Sequence, residues 1–296
     1  MGATLQHVAW SPDSSRFAIA LDQSSFSTVE VYESQNAELL WRANSPGYVL
    51  SMEYSSDGRM LAVVHYGGYP LQIRDAETGF LDFEYEGTDS CFPMGLDVEF
   101  SPDSGTLYWT VSGGRSAEYR SSVYRVDLST GYCGSRFKFI QGFLTTFYIM
   151  DQGNRLVTTV EDTSKYTLED WVYIWDAADG DLLCSFRGVA PAGSETDNLF
   201  ILQADDQQLA VIDAVTCKEK YRFTLDGDVL DFAPALSLIL VGSTSRFVVY
   251  DYESGITLNQ LPFPPDAVYP LTSPDWKHVI FRRIGVDPYV RLYSAR

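Results

Sequence analysis

Apolar and polar residues alternate along most of the chain in short runs, as in Val29-Glu30-Val31-Tyr32 and Val172-Tyr173-Ile174-Trp175. A period of two places successive side chains on opposite faces of an extended strand. The runs are separated by turn chemistry. Ser11-Pro12-Asp13 presets φ at proline and offers polar side chains to nearby backbone, while Thr78-Gly79, Thr130-Gly131, Asp179-Gly180 and Ser254-Gly255 supply a residue free to take positive φ. No segment sustains a 3.6-residue apolar stripe long enough for a helix. The pattern predicts consecutive hairpins without βαβ crossovers.

Two markers recur in phase. The first is an apolar strand running into a Ser-Pro-Asp-like turn: Val8 to Asp13, Met52 to Gly58 and Val98 to Asp103, with weaker copies at Ile149 to Gly153, Asp231 to Pro234 and Leu271 to Asp275. The second ends an alternating strand at Glu33, Asp75, Asp127, Asp176, Asp213, Asp251 and Ser294. These positions define seven units averaging about 43 residues, the length of a four-stranded blade. A lone sheet leaves its faces bare, so such units stack radially until a ring closes. The expectation is an all-β chain forming a single seven-bladed β-propeller of four-stranded antiparallel blades over 1–296. The blades fall at about 3–46, 47–92, 93–142, 143–188, 189–227, 228–266 and 267–296. Blades 5 and 7 are expected to be irregular. In the fifth, Ala190-Pro191-Ala192-Gly193-Ser194 reads as a loop, leaving a poor or missing innermost strand; the seventh stops after its third strand. Blades 1 and 7 are then expected to meet by side-chain packing without a shared sheet.

The repeat resembles that of WD40-type propellers, best in Val172-Tyr173-Ile174-Trp175-Asp176-Ala177-Ala178-Asp179-Gly180, where the Trp-Asp pair is literal. The Gly-His pair that precedes each repeat of that family is absent, so the family's Asp-His-Ser/Thr-Trp hydrogen-bond set is assigned to no residue. The resemblance implies a platform for protein partners, an inference from fold by analogy.

Charge narrows the partners. The chain carries 40 Asp and Glu against 21 Lys and Arg, a formal net charge of −19. That field repels phosphate backbones and anionic headgroups, so nucleic acid and membrane are not expected, and a basic protein or peptide is favoured. No run approaches the roughly 20 apolar residues of a membrane helix, and Met1-Gly2-Ala3-Thr4 does not open a signal peptide. Cys91, Cys133, Cys184 and Cys217 are scattered without a CxxC pair. Reduced, packed thiols in a cytoplasmic protein are the expectation.

Candidate chemistry is sparse. His7, His65 and His278 lie in different units and are expected to cap or pack beside strands. No HExxH, Gly-x-Ser-x-Gly, phosphate-binding glycine loop or dinucleotide fingerprint is present. Asp176 to Asp181 lacks the spacing of a calcium loop, and the pairs Gly67-Gly68 and Gly113-Gly114 precede no helix. No catalytic residue, metal or cofactor is assigned.

The loops between second and third strands are more informative, because they share a face with the connections between blades. They carry Tyr66, Tyr69, Arg115, Tyr119, Arg120, Tyr166 and Trp171, residue types enriched at binding hot spots. The leading expectation is a non-catalytic scaffold binding a protein or peptide on this face. One alternative is a lactonase-like metal-dependent hydrolase with a central-channel site drawn from Asp97, Asp231 and Glu53; another is the propeller segment of a larger multidomain protein.

Overall fold

The computed structural model describes residues 4–23, 26–66, 71–85, 95–113, 120–133, 138–162, 169–204, 208–225, 227–242, 246–262, 267–283 and 290–294. It is all-β. Sheet 1 runs in the order β1 (Thr4–Trp10), β2 (Arg16–Asp22), β3 (Ser27–Glu33), β4 (Leu39–Ser45). Sheet 2 follows with β5 (Tyr48–Tyr54), β6 (Met60–Tyr66), β7 (Leu71–Asp75) and β8 (Leu81–Tyr85). Sheet 3 contains β9 (Gly95–Phe100), β10 (Thr106–Gly113), β11 (Arg120–Asp127) and β12 (Tyr132–Cys133), with β13 (Lys138–Gln141) also on β11. Sheet 4 is β14 (Phe143–Met150), β15 (Arg155–Asp162), β16 (Glu169–Asp176) and β17 (Leu182–Arg187).

Sheet 5 is β18 (Val189–Ser194), β19 (Leu199–Gln203), β20 (Gln208–Asp213) and β21 (Lys218–Thr224), and sheet 6 is β22 (Asp228–Ala233), β23 (Leu238–Gly242), β24 (Arg246–Asp251) and β25 (Ile256–Pro262). Sheet 7 has three strands, β26 (Ala267–Thr272), β27 (His278–Arg283) and β28 (Val290–Ser294). The second sequence marker ends the third strand of every sheet. Among the described residues the only helical pieces are 3₁₀ turns at Asp151–Gly153 and Pro234–Leu236. No helix among them is long and apolar enough to cross a membrane.

Contacts group the chain into two compact units. The first comprises 1–112, 122–139 and 266–296, and the second 113–121 and 140–265. Within each unit, strands buried on both faces carry nearly continuous apolar runs. On β6, Leu61 and Val63 join the core with Val29, Val31 and Trp41 of sheet 1, whereas Ala62 and Val64 pack with Val98, Phe100 and Trp109 of sheet 3. In the second unit, Phe200 and Leu202 face Val172 and Ile174 of sheet 4, and Leu199 and Ile201 face Val229 and Val241 of sheet 6. Sheets 7 and 1 are separate sheets joined by packing: Ile280 meets Leu5, Val8, Phe17 and Ile19, and the Asp275 amide donates to the Ser14 hydroxyl at 3.0 Å.

Four of the six Ser-Pro-Asp-like turns are built by their own side chains, whereas the copies at Asp151–Gly153 and Pro234–Leu236 are 3₁₀ turns. The Ser11 hydroxyl donates to Asp13 Oδ1 at 2.7 Å and accepts from the Arg16 amide at 2.9 Å. Ser55 with Asp57 and Met60, Ser101 with Asp103 and Thr106, and Ser273 with Asp275 and His278 repeat the arrangement. The outer turns use the marker aspartate, whose Oδ1 accepts backbone amides two and three residues on: Thr78 for Asp75, Thr130 for Asp127, Thr216 for Asp213 and Ser254 for Asp251. Such Asx geometry stabilises a turn without distant help.

Two expectations are corrected. The fifth sheet does not lack its first strand, since β18 pairs with β19 along Val189–Ser194. Its small residues suit a crowded position: a Cβ on Gly193 would sit 2.9 Å from Met150 Cε and 3.1 Å from Tyr148 Cγ. Pro191, which has no amide to donate, falls within the register shift between Val189 and Ala192. Cys184 and Cys217 are not free thiols; they form a disulfide between sheets 4 and 5, with Cα atoms 6.4 Å apart. A separation of 33 residues and no CxxC spacing concealed the pair from the sequence.

Candidate functional site

Of the loop-face residues singled out from the sequence, Tyr66 and Trp171 can be placed fully. Tyr66 ends β6 with 54% of its surface exposed, directly opposite Tyr48, the exposed first residue of β5. A Cβ on Gly47 would lie 2.0 Å from the Tyr66 carbonyl oxygen, so this edge tolerates no side chain there. Tyr48 was missed because only strand register brings it opposite Tyr66.

Trp171 belongs to the second unit. It is half-buried on β16, where its ring stacks on Tyr173 at 6.4 Å, and Tyr173 meets Trp175 at 5.4 Å. Residues i, i+2 and i+4 share a strand face, so the three rings form a ladder. Arg120 begins β11. Tyr69, Arg115, Tyr119 and Tyr166 lie outside the described residues, as do Gly67-Gly68 and Gly114 of the glycine pairs.

A cavity opens on the opposite, turn-bearing side of the first unit. It has a volume of about 470 Å³ and lies among the turns at 11–16, 56–59 and 75–77. Asp13, Asp57, Asp75 and Glu77 contribute carboxylates, and Arg16 and Arg59 contribute guanidinium groups. Hydrogen bonds from the Ser11 hydroxyl hold the Asp13 carboxyl below its ordinary pKa, and those from the Thr78 hydroxyl and amide do the same for Asp75. Burial works the other way at Asp57 but is outweighed by the Ser55 hydroxyl and the Arg59 amide, so its pKa is also lowered. These aspartates are ionised at neutral pH. Arg16 donates to the Ala76 carbonyl at 3.3 Å, and Arg59 approaches Asp57 only to 3.9 Å. Four carboxylates against two guanidinium groups leave the cleft with an excess of negative charge. Sequence reasoning recognised each turn but not their convergence.

His65 Nδ1 is hydrogen-bonded to the Ser45 hydroxyl, a pair reminiscent of a nucleophile and base. Both residues are 1% exposed, and Ser45 Oγ also donates to the Gly47 carbonyl at 3.2 Å. A substrate cannot reach a hydroxyl so enclosed, so the pair pins β4 to β6. Burial, followed by the nearby Arg74 charge, pushes the His65 pKa down to about 4. His278 opens β27 and lies beside Trp10, with ring centroids 6.0 Å apart.

Among the channel candidates, Asp97 accepts the Ser51 hydroxyl at 2.6 Å and the Val98 amide at 3.0 Å, with its pKa raised by burial against both bonds. Asp231, in the second unit, accepts its neighbour's amide from Phe232 at 2.7 Å. Glu53 and Glu99, on the edge strands β5 and β9, bring carboxylate oxygens within 4.8 Å of each other.

No protein-family model matches the chain, and no curated protein matches it closely enough to mark a relative.

Proposed function

We propose that the chain is a non-catalytic interaction platform, its seven sheets arranged as the blades of one WD40-like propeller, and that it binds a basic protein or peptide. The observation that carries this reading is the turn-side cleft, where Asp13, Asp57, Asp75 and Glu77 surround a space large enough for a lysine or arginine side chain. The turns are pre-formed by their own hydrogen bonds, so little ordering entropy opposes binding. The overall charge of −19 adds long-range attraction for the same class of partner. The exposed Tyr48 and Tyr66 pair favours a second reading, in which the partner sits on the loop face.

Titration with a lysine- and arginine-rich peptide, and with its glutamate-substituted counterpart, separates these readings. Binding of the basic peptide alone, weakened by salt, lost in Glu77→Lys and retained in Tyr66→Ala, is the expected result. Loss in Tyr66→Ala with retention in Glu77→Lys moves the site to the loop face. Failure of the wild-type protein to bind the basic peptide overturns the basic-partner reading.

A further inference from the structure

Four pairs of successive sheets are clasped at one repeated position. In the fourth strand of a sheet, the residue opposite the site just before a register shift reaches the outer turn of the next sheet. Trp41 pairs with Val31, Phe83 with Ile73, Cys184 with Ile174 and Tyr221 with Val211, each immediately before such a shift. The Trp41 ring covers Gly79 so closely that a Cβ there would lie 2.6 Å from Cε3, and the Phe83 ring likewise covers Gly131, at 2.9 Å. Tyr221 reaches the following turn through Tyr252, with centroids 5.7 Å apart, and its hydroxyl donates to Glu253 at 3.3 Å. Between sheets 4 and 5 both partners change together. Cys184 replaces the aromatic ring, and Cys217 occupies the glycine position at φ 57°, a left-handed conformation unfavourable to a residue with a Cβ.

We propose that the Cys184–Cys217 disulfide is a covalent substitute for the aromatic-on-glycine clasp, so that among the described clasps this joint alone depends on redox state. Closing it converts two thiols to one disulfide. Two electrons and two protons pass to a disulfide-class oxidant such as oxidised glutathione, which leaves as two thiols. Reduction opens the joint and leaves two small side chains where the other joints carry a ring.

The test compares wild type, Cys184→Ser/Cys217→Ser and Cys184→Phe/Cys217→Gly in thermal melts with and without dithiothreitol, after thiol counting under denaturing, non-reducing conditions. Closing a loop of this length predicts that dithiothreitol lowers the wild-type midpoint by roughly 5 to 10 °C, to that of the serine variant. The Phe/Gly variant should melt above the serine variant and ignore dithiothreitol, because it restores the clasp used elsewhere. A wild-type midpoint that dithiothreitol does not move, Cys184 and Cys217 labelled as free thiols in protein equilibrated with oxidised glutathione, or a Phe/Gly variant no more stable than the serine variant each overturns the proposal.

Discussion

At the residue scale, one carboxylate oxygen shapes each of four outer turns, those of Asp75, Asp127, Asp213 and Asp251, and one buried imidazole sets an acid limit on the first unit. The turn aspartates Asp75, Asp127, Asp213 and Asp251 have lowered pKa values, and their contribution to stability persists until pH falls through the folded value. At Asp275, burial opposes ionisation but the Ser273 hydroxyl, the Lys277 amide and the Lys277 ammonium outweigh it, bringing the pKa to about 2. His65 acts at higher pH. Its folded pKa of about 4 lies below the ordinary 6.5, so the unfolded chain binds the proton first. The stability is present in full above pH 6.5 and is lost as pH falls toward 4, in all about 3 kcal/mol. From pH 7 to pH 5 the wild type should lose about 2 kcal/mol through this group. Urea unfolding at the two pH values measures it: His65→Gln, which cannot titrate, should lose correspondingly less, and equal losses would show that His65 takes up its proton over the same pH range in the folded and unfolded protein.

Elements are held to one another by contacts that turn chemistry does not reveal. Gly79 and Gly255 both have positive φ, 75° and 71°, yet only Gly79 lies beneath a ring; no atom approaches a Cβ on Gly255 within 4 Å. Gly255→Ala is expected to cost about 1 kcal/mol from backbone conformation alone. Gly79→Ala adds displacement of Trp41 and is expected to cost about 3 kcal/mol. Chemical denaturation of both variants reads the difference, and equal costs would remove the clasp from the energetics. The turns were legible in the sequence because Asp75 bonds amides only two and three residues away. Trp41 donates to the Ala76 carbonyl from 35 positions away, and neither residue's spacing advertises the partner. β18 stayed hidden for a different reason. Its Ala, Pro, Gly and Ser have low strand preference, and the packing against Tyr148 and Met150 that favours them is tertiary.

At the scale of the whole chain, the repeat count was legible because each unit restates its turns, whereas the cleft joins turns that begin at Ser11, Ser56 and Asp75 and had no linear signature. The first unit also makes the two ends of the sequence depend on each other. Ile280 is wholly buried against Leu5, Val8, Phe17 and Ile19, and Asp275 bonds Ser14 across 261 positions. Truncating Ile280 therefore removes apolar contact from sheets 1 and 7 together. Ile280→Ala is expected to cost about 2 to 4 kcal/mol, since the surrounding side chains collapse only partly into the space. Hydrogen exchange locates the loss. If the two sheets open as one cooperative piece, amides of β1 and β2 should lose protection by the same factor as those of β27, about 30-fold or more for such a cost. Loss confined to β27 would mean that sheet 1 keeps its stability without its neighbour, and that the packing between the chain's ends does not couple them.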